Sequence, residues 1–108
     1  MSLEAVIQTS ALGDITMHLY GDLSFEGLKK LDSEILDIKT SHPHSVITLD
    51  LHSLDFVGSS AILNFVDLLK DWHQKESHKF KVDNIKNEFI RLFEIYNFDI
   101  SPMLIGEN

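Results

Sequence analysis

The sequence predicts an α/β fold: a mixed β-sheet of four to five strands with helices mainly on one face. Three patterns carry that expectation. Near the N-terminus, Ile15, Met17 and Leu19 alternate with Thr16, His18 and Tyr20, the two-residue period of a strand with one buried face. Further along, three segments hold their apolar residues on single helical stripes: Leu28, Leu31, Ile35 and Ile38; then Ile62, Phe65, Val66, Leu69 and Trp72; then Ile85, Phe89, Leu92, Phe93 and Tyr96. Short apolar runs separate these stripes, and strands joined through helices imply parallel pairing within one sheet.

Taken in order, Leu3 to Gln8 and Asp14 to Tyr20 form a hairpin through residues 9–13. Gly21-Asp22-Leu23-Ser24 closes it and opens the first helix, Phe25 to Thr40, with Ser24 as N-cap, Leu23 and Leu28 as the staple around it and Glu26 in the first turn. Pro43 marks Ser41 to Ser45 as a loop. Val46 to Leu51, apolar except at Thr48 and Asp50, reads as a central strand. A short passage, Asp55-Phe56-Val57, leads to a loop carrying Ser59 and Ser60, from which the second helix runs to about Trp72. Ser59 is its expected N-cap and Ser60 its first residue. His73 to His78 is a polar connection, Lys79 to Asp83 a short strand, and Asn84 the expected start of the third helix. Asn97 suits the left-handed residue that ends such a helix, and Ile100 to Ile105 returns to the sheet or its edge.

A chain of 108 residues, 44% hydrophobic, is expected to be one domain over residues 1–108 with a core that needs no staples. Cysteine is absent, which removes disulfide and thiolate chemistry and fits a reducing, cytoplasmic setting. No leader-like segment opens the chain, and no run is long and apolar enough to insert into a membrane. Seventeen acidic against nine basic residues give a net charge of −8 without a basic cluster, which argues against a nucleic-acid partner.

The candidate functional residues gather at the second helix. Ser60, Asn64, Asp67 and Asp71 recur at helical spacing and form one polar line, with Leu63 and Leu68 beside it. A phosphate on Ser60 would meet the positive end of the helix dipole, where negative charge is favoured. Catalysis finds little support. Gly58-Ser59-Ser60-Ala61 is not the nucleophile elbow Gly-x-Ser-x-Gly, no phosphate-binding glycine loop occurs, and the histidines lack the spacing of a helical zinc site. Asp50 and Asp55 are read as residues of a strand end and its loop rather than metal ligands. No cofactor or metal is expected.

These words of the sequence resemble the STAS family, the domain of anti-sigma-factor antagonists and of sulfate-transporter tails. Leu49-Asp50-Leu51 followed by Phe56-Val57-Gly58-Ser59-Ser60-Ala61-Ile62 is similar to the family's strand and Phe-hydrophobic-Asp-Ser-Ser-Gly-Leu loop, and Gly21-Asp22-Leu23-Ser24 to its Gly-Glu-Leu-Asp turn. Asp83-Asn84-Ile85 through Leu92-Phe93-Glu94-Ile95-Tyr96-Asn97-Phe98 looks like its last helix. The resemblance implies a bacterial regulator of transcription, not an enzyme, that binds a serine kinase doubling as an anti-sigma factor and is phosphorylated at Ser60, with Ser59 the second candidate and a phosphatase reversing the reaction. Gly58, Ser59, Ser60, Leu63, Asn64 and Asp67 are then the partner-binding residues, and homodimer formation stays open. Gly58 stands where the family has Asp, Ala61 where it has Gly, and Ser24 where it has Asp. Those departures leave a second reading, a constitutive STAS subunit of an ABC-type lipid transport complex that is never phosphorylated.

Overall fold

The computed structural model describes residues 2–76 and 78–105; Met1, Ser77 in the expected polar connection, and residues 106–108 lie outside that description. The described residues form β1 (Glu4–Thr9), β2 (Ile15–Leu23), α1 (Phe25–Ser41), β3 (Ile47–Asp50), β4 (Leu54–Val57), α2 (Ile62–Lys75), β5 (Phe80–Asp83), α3 (Asn87–Ile95) and a 3-10 turn, Ser101–Met103. The sheet is mixed, in the order β1-β2-β3-β5, with β4 also on β2. β1 runs antiparallel to β2, and all other pairs are parallel.

β2 is longer than the alternation suggested, because Gly21-Asp22-Leu23, expected to turn, stays in the strand. Its first part pairs with β3, from Ile15 opposite Ile47 to His18 opposite Asp50, and its last part with β4, where Leu23 lies opposite Val57. The Ile15 amide donates to the Val46 carbonyl at 2.9 Å and the Gly21 amide to the Ser53 carbonyl at 3.3 Å. Alternate residues of a strand direct their N–H groups to the same edge, so β3 and β4 occupy one edge of β2 in succession. A register shift between Gly21 and Asp22 accompanies the break, with Gly21 at φ 92°, a conformation open to a residue without Cβ. The passage Asp55-Phe56-Val57 is therefore strand and not loop. Leu54 and Val57 are buried while Asp55 and Phe56 are exposed, and this irregular pattern hid it from a two-residue period.

The register places Ile15, Met17 and Leu19 on one sheet face with Ile47, Leu49, Phe80 and Val82, and these bury in one core with Leu28, Leu31 and Ile35 of α1 and Phe65, Val66, Leu69 and Trp72 of α2. The Ser24 hydroxyl accepts from the Gly27 amide at 3.1 Å, the expected N-cap of α1. An aromatic series ties α2 to the C-terminal third: Trp72 on Phe80 at 4.5 Å, Phe65 on Phe93 at 5.9 Å and Phe93 on Phe98 at 5.6 Å. α3 ends as its sequence suggested. Asn97 has φ 58°, its amide donates to Glu94 and the Phe98 amide to Phe93, and the Phe93–Phe98 ring contact closes the motif.

Two expectations at the C-terminal third change. Asn84 does not start the third helix, which begins at Asn87, so Ile85 lies ahead of it. Asn84 instead takes φ 57°, and its side-chain amide donates to Asp50 Oδ2 at 3.0 Å. The Asp50 carboxylate sits on the sheet face away from the core, 9% exposed, with Oδ1 accepting from the His52 amide at 2.9 Å and Oδ2 3.2 Å from His18 Nδ1. A carboxylate so desolvated needs donors, and Asn84 serves it better than it would cap α3. The tail, expected as a strand over residues 100–105, reaches the sheet only through a bridge of Leu104 to Val82, after the turn Ser101–Met103. Donation from the Ser101 side chain and amide holds the exposed Asp99 carboxyl below its usual range.

Replacing Asn84 separates its two roles. Asn84→Ala loses the donor to Asp50 and strains a left-handed residue, whereas Asn84→Gly loses only the donor. In urea unfolding the alanine variant is expected to lose roughly 2–3 kcal/mol and the glycine variant about half of that. Equal losses would place the whole effect in the hydrogen bond.

Candidate functional site

At the break in the second edge of β2, β4 delivers the chain into the turn Gly58–Ala61 ahead of α2. The Gly58 amide donates to the Leu23 carbonyl at 2.9 Å, which anchors the turn to the end of β2. The Gly58 carbonyl then accepts from the Ala61 amide at 2.9 Å and the Ile62 amide at 3.1 Å. That one oxygen does what a capping side chain would do, so the expected N-cap role of Ser59 is not realised. The cap position is Ala61, without a side-chain bond, and α2 starts at Ile62, leaving Ser60 just outside the helix rather than as its first residue. The cause is burial. Ala61 and Ile62 are 0% and 2% exposed, so the apolar stripe of α2 begins there and both serines are displaced into the turn before it. At its other end α2 continues past Trp72 to Lys75.

Ser59 and Ser60 are both exposed, as are Asn64, Asp67 and Asp71, so the polar line faces outward although Ser60 precedes the helix. Leu63 beside it is 57% exposed. Asn64 and Leu68 line a groove of about 180 Å³ against Phe25, Leu28, Lys29 and Asp32 of α1, with Lys29 Nζ 5.4 Å from the Phe25 ring. Asp71 is spent on Lys75, one helical turn on, at 3.1 Å. Gly58 is half-buried, and a Cβ added to it would lie 3.6 Å from the Leu23 carbonyl and 4.0 Å from Ser60 Oγ, both ordinary contacts. A carboxylate at position 58 would therefore stand beside the Ser60 hydroxyl, and its absence changes the chemistry of that hydroxyl without changing the backbone.

Two exposed aromatic residues at this end of the sheet escaped sequence reasoning: Phe25, 45% exposed, and Phe56, 57% exposed. An outward-facing Phe in a four-residue strand has no periodic signature, and the first residue of an amphipathic helix carries little directional information. Asp50 and Asp55 do not form a carboxylate pair: Asp55 is exposed, while Asp50 is occupied by His18, Asn84 and the His52 amide. Among the described residues no group of three histidine, aspartate or glutamate side chains could hold a metal ion. No helix among them is long and apolar enough to cross a membrane.

A family model, the STAS domain, matches residues 3–105, and the chain belongs to that family. Among solved structures it is similar to the anti-sigma factor antagonist SpoIIAA in its unphosphorylated form, with TM-score 0.65 and 11% identity over 97% of this chain and 90% of that one. It is also similar to an uncharacterized protein of the DUF3478 family with a SpoIIAA-like fold from Shewanella loihica, with TM-score 0.57 and 14% identity over 99% of this chain and 88% of that one. No curated protein matches the chain. At these identities the likeness is one of fold.

The room at position 58 has a measurable consequence. Gly58→Asp is expected to melt within a few degrees of the parent, because the added Cβ meets no backbone closer than 3.6 Å. A loss above about 2 kcal/mol in thermal unfolding would mean that the turn tolerates glycine alone.

Proposed function

We propose that this STAS protein is a cytoplasmic regulatory binding protein of the anti-sigma-factor-antagonist type, switched by phosphorylation of Ser60, with Ser59 as second acceptor. Its partner is a serine kinase that doubles as an anti-sigma factor, and a phosphatase resets it. Transcription is the regulated process, and the protein itself performs no catalysis. The observation that carries this reading is the exposed Ser60 hydroxyl, in a turn fixed by the Gly58 carbonyl, at the N-terminus of α2, where no side chain caps the helix.

The physics of the switch follows from that position. A phosphoserine adds about −1.5 to −2 charges at neutral pH. Outside the helix but next to its first turn, that charge faces the positive end of the dipole and amides that no side chain caps, so the fold bears it at little cost. In a partner interface the same charge must lose its water, and the partner must supply compensating cations or be released. Exposed Leu63, with Gly58, Asn64 and Asp67, supplies the surface that the unmodified protein offers.

The test pairs substitutions with the native protein. Ser60→Asp is expected to fold normally and bind the kinase at least tenfold more weakly, Ser60→Ala to bind constitutively, and Leu63→Lys to weaken binding more than it lowers the melting temperature. Mass spectrometry of protein from its own cells, with and without the kinase gene, reads the modification directly. Full binding by Ser60→Asp together with no modification in either strain would favour the constitutive subunit of an ABC-type lipid transport complex, the reading that Gly58 at the acidic position supports.

A further inference from the structure

We propose that the outer edge of β1 is a self-association surface, and that two copies pair antiparallel along it, with Ile7 opposite Ile7 on a two-fold axis, to make one continuous sheet. The argument starts from hydrogen-bond direction. Ile15 and Gly21 direct their amides toward β3 and β4, so Thr16, His18 and Tyr20 direct theirs toward β1. Their partners in the register are Gln8, Val6 and Glu4. The even-numbered residues of β1 are thus committed to β2, and Ala5, Ile7 and Thr9 point their N–H and C=O groups away from the sheet, where no described strand meets them.

Edges of this kind are normally guarded by a lysine, a proline, a bulge or a covering segment. β1, Glu-Ala-Val-Ile-Gln-Thr, has no lysine and no proline, and its register on β2 is unbroken from Glu4 to Thr9. The opposite edge of the sheet differs, since β5 is met there by Leu104, with the Ile105 amide donating to the Val82 carbonyl at 3.0 Å. At the centre of the open edge Val6 and Ile7 are 51% and 49% exposed, one on each face of the sheet.

A second copy fits this edge by its chemistry and its symmetry. A two-fold axis normal to the sheet keeps core face on core face, so residues can pair only with residues of the same parity, and the outward-pointing groups of Ala5, Ile7 and Thr9 must meet each other. Centring on Ile7 uses all three. Ile7 meets Ile7, Ala5 meets Thr9, Val6 meets Gln8, and Glu4, the charged residue of the strand, meets Ser10 rather than its own copy. About six inter-strand hydrogen bonds result, and Val6 and Ile7 lose their exposed edges. The helices leave room for this. α1 packs over β2, one strand in from the edge, so the two copies of α1 stand roughly 14 Å apart at ~4.8 Å per strand, wider than helix packing distance. A six-residue strand pair buries little area, so the dimer forms and dissociates with concentration. It uses the outer edge of β1, on the other side of β2 from β4, and leaves the Ser60 turn open.

Sedimentation equilibrium over a concentration series, with residue-resolved amide exchange on the unsubstituted protein, tests the proposal. The mass is expected to double with rising concentration. The Ala5, Ile7 and Thr9 amides should slow at least tenfold over the same range, while those of Val6 and Gln8, already bonded to β2, do not change. Ile7→Lys, which sets two cations on the axis, should remain folded by circular dichroism and monomeric throughout. A parent protein that stays monomeric at every concentration, a dimer that survives Ile7→Lys, or protection that avoids the odd-numbered amides would each overturn the proposal, and a monomer whose odd amides slow only when another protein is added would assign the edge to a foreign strand.

Discussion

Everything in this fold hangs on β2 serving three strands with two edges. One edge is given wholly to β1. The other is shared, first by β3 and then by β4; the chain leaves the sheet between Asp50 and Leu54 and re-enters in a different register, which shifts once more between Gly21 and Asp22. That interruption aims β4 past the end of β2, where the Gly58 amide reaches the Leu23 carbonyl and the serines emerge in an open turn. The site is thus a product of sheet register rather than of the helix that follows it.

β3 ends at the interruption on a buried carboxylate, Asp50, which has to be supplied with donors. Its carboxylate gathers the amide of His52 within the break, the side chain of His18 on β2 and that of Asn84 beyond β5, while Gln8 on β1 meets the other nitrogen of His18 at 2.7 Å. One polar series thus joins β1, β2, the end of β3 and the segment after β5 on the sheet face away from the core. Lys86 extends the same logic, its ammonium donating to the Leu54 carbonyl at 3.0 Å and binding the start of β4 to the approach of α3. The core face is held by burial and the outer face by directed hydrogen bonds, and the turn with Ser60 is held at its two ends by one of each, the Gly58 amide on the Leu23 carbonyl and the buried Ala61.

The parts legible in the sequence were those set by periodicity on a large buried face. The stripes of α1 and α2 and the buried side of β2 follow from side chains whose environment repeats, and the left-handed end of α3 at Asn97 from a residue type that tolerates positive φ. What escaped was set by single long-range bonds. Asn84 looked like a helix start because asparagine caps helices, and only the distant Asp50 draws it into another role. Ser59 looked like an N-cap for the same reason, and the Gly58 carbonyl took its place. β4 escaped because four residues across a register shift do not alternate. The prominence of Ser60 was legible through the family's loop and survives the later start of α2, since an exposed turn displays a hydroxyl as well as a first helical residue does.

The central claim is that charge on Ser60 changes the surface and spares the fold, and a residue-resolved amide NMR spectrum of Ser60→Asp against the parent measures this most directly. The account predicts shifts confined to the turn 58–61 and the first turn of α2, with β2, β3 and the Asp50 group unmoved. Shifts spreading into the core residues of β2 and α2, or loss of the first turn of α2, would contradict it.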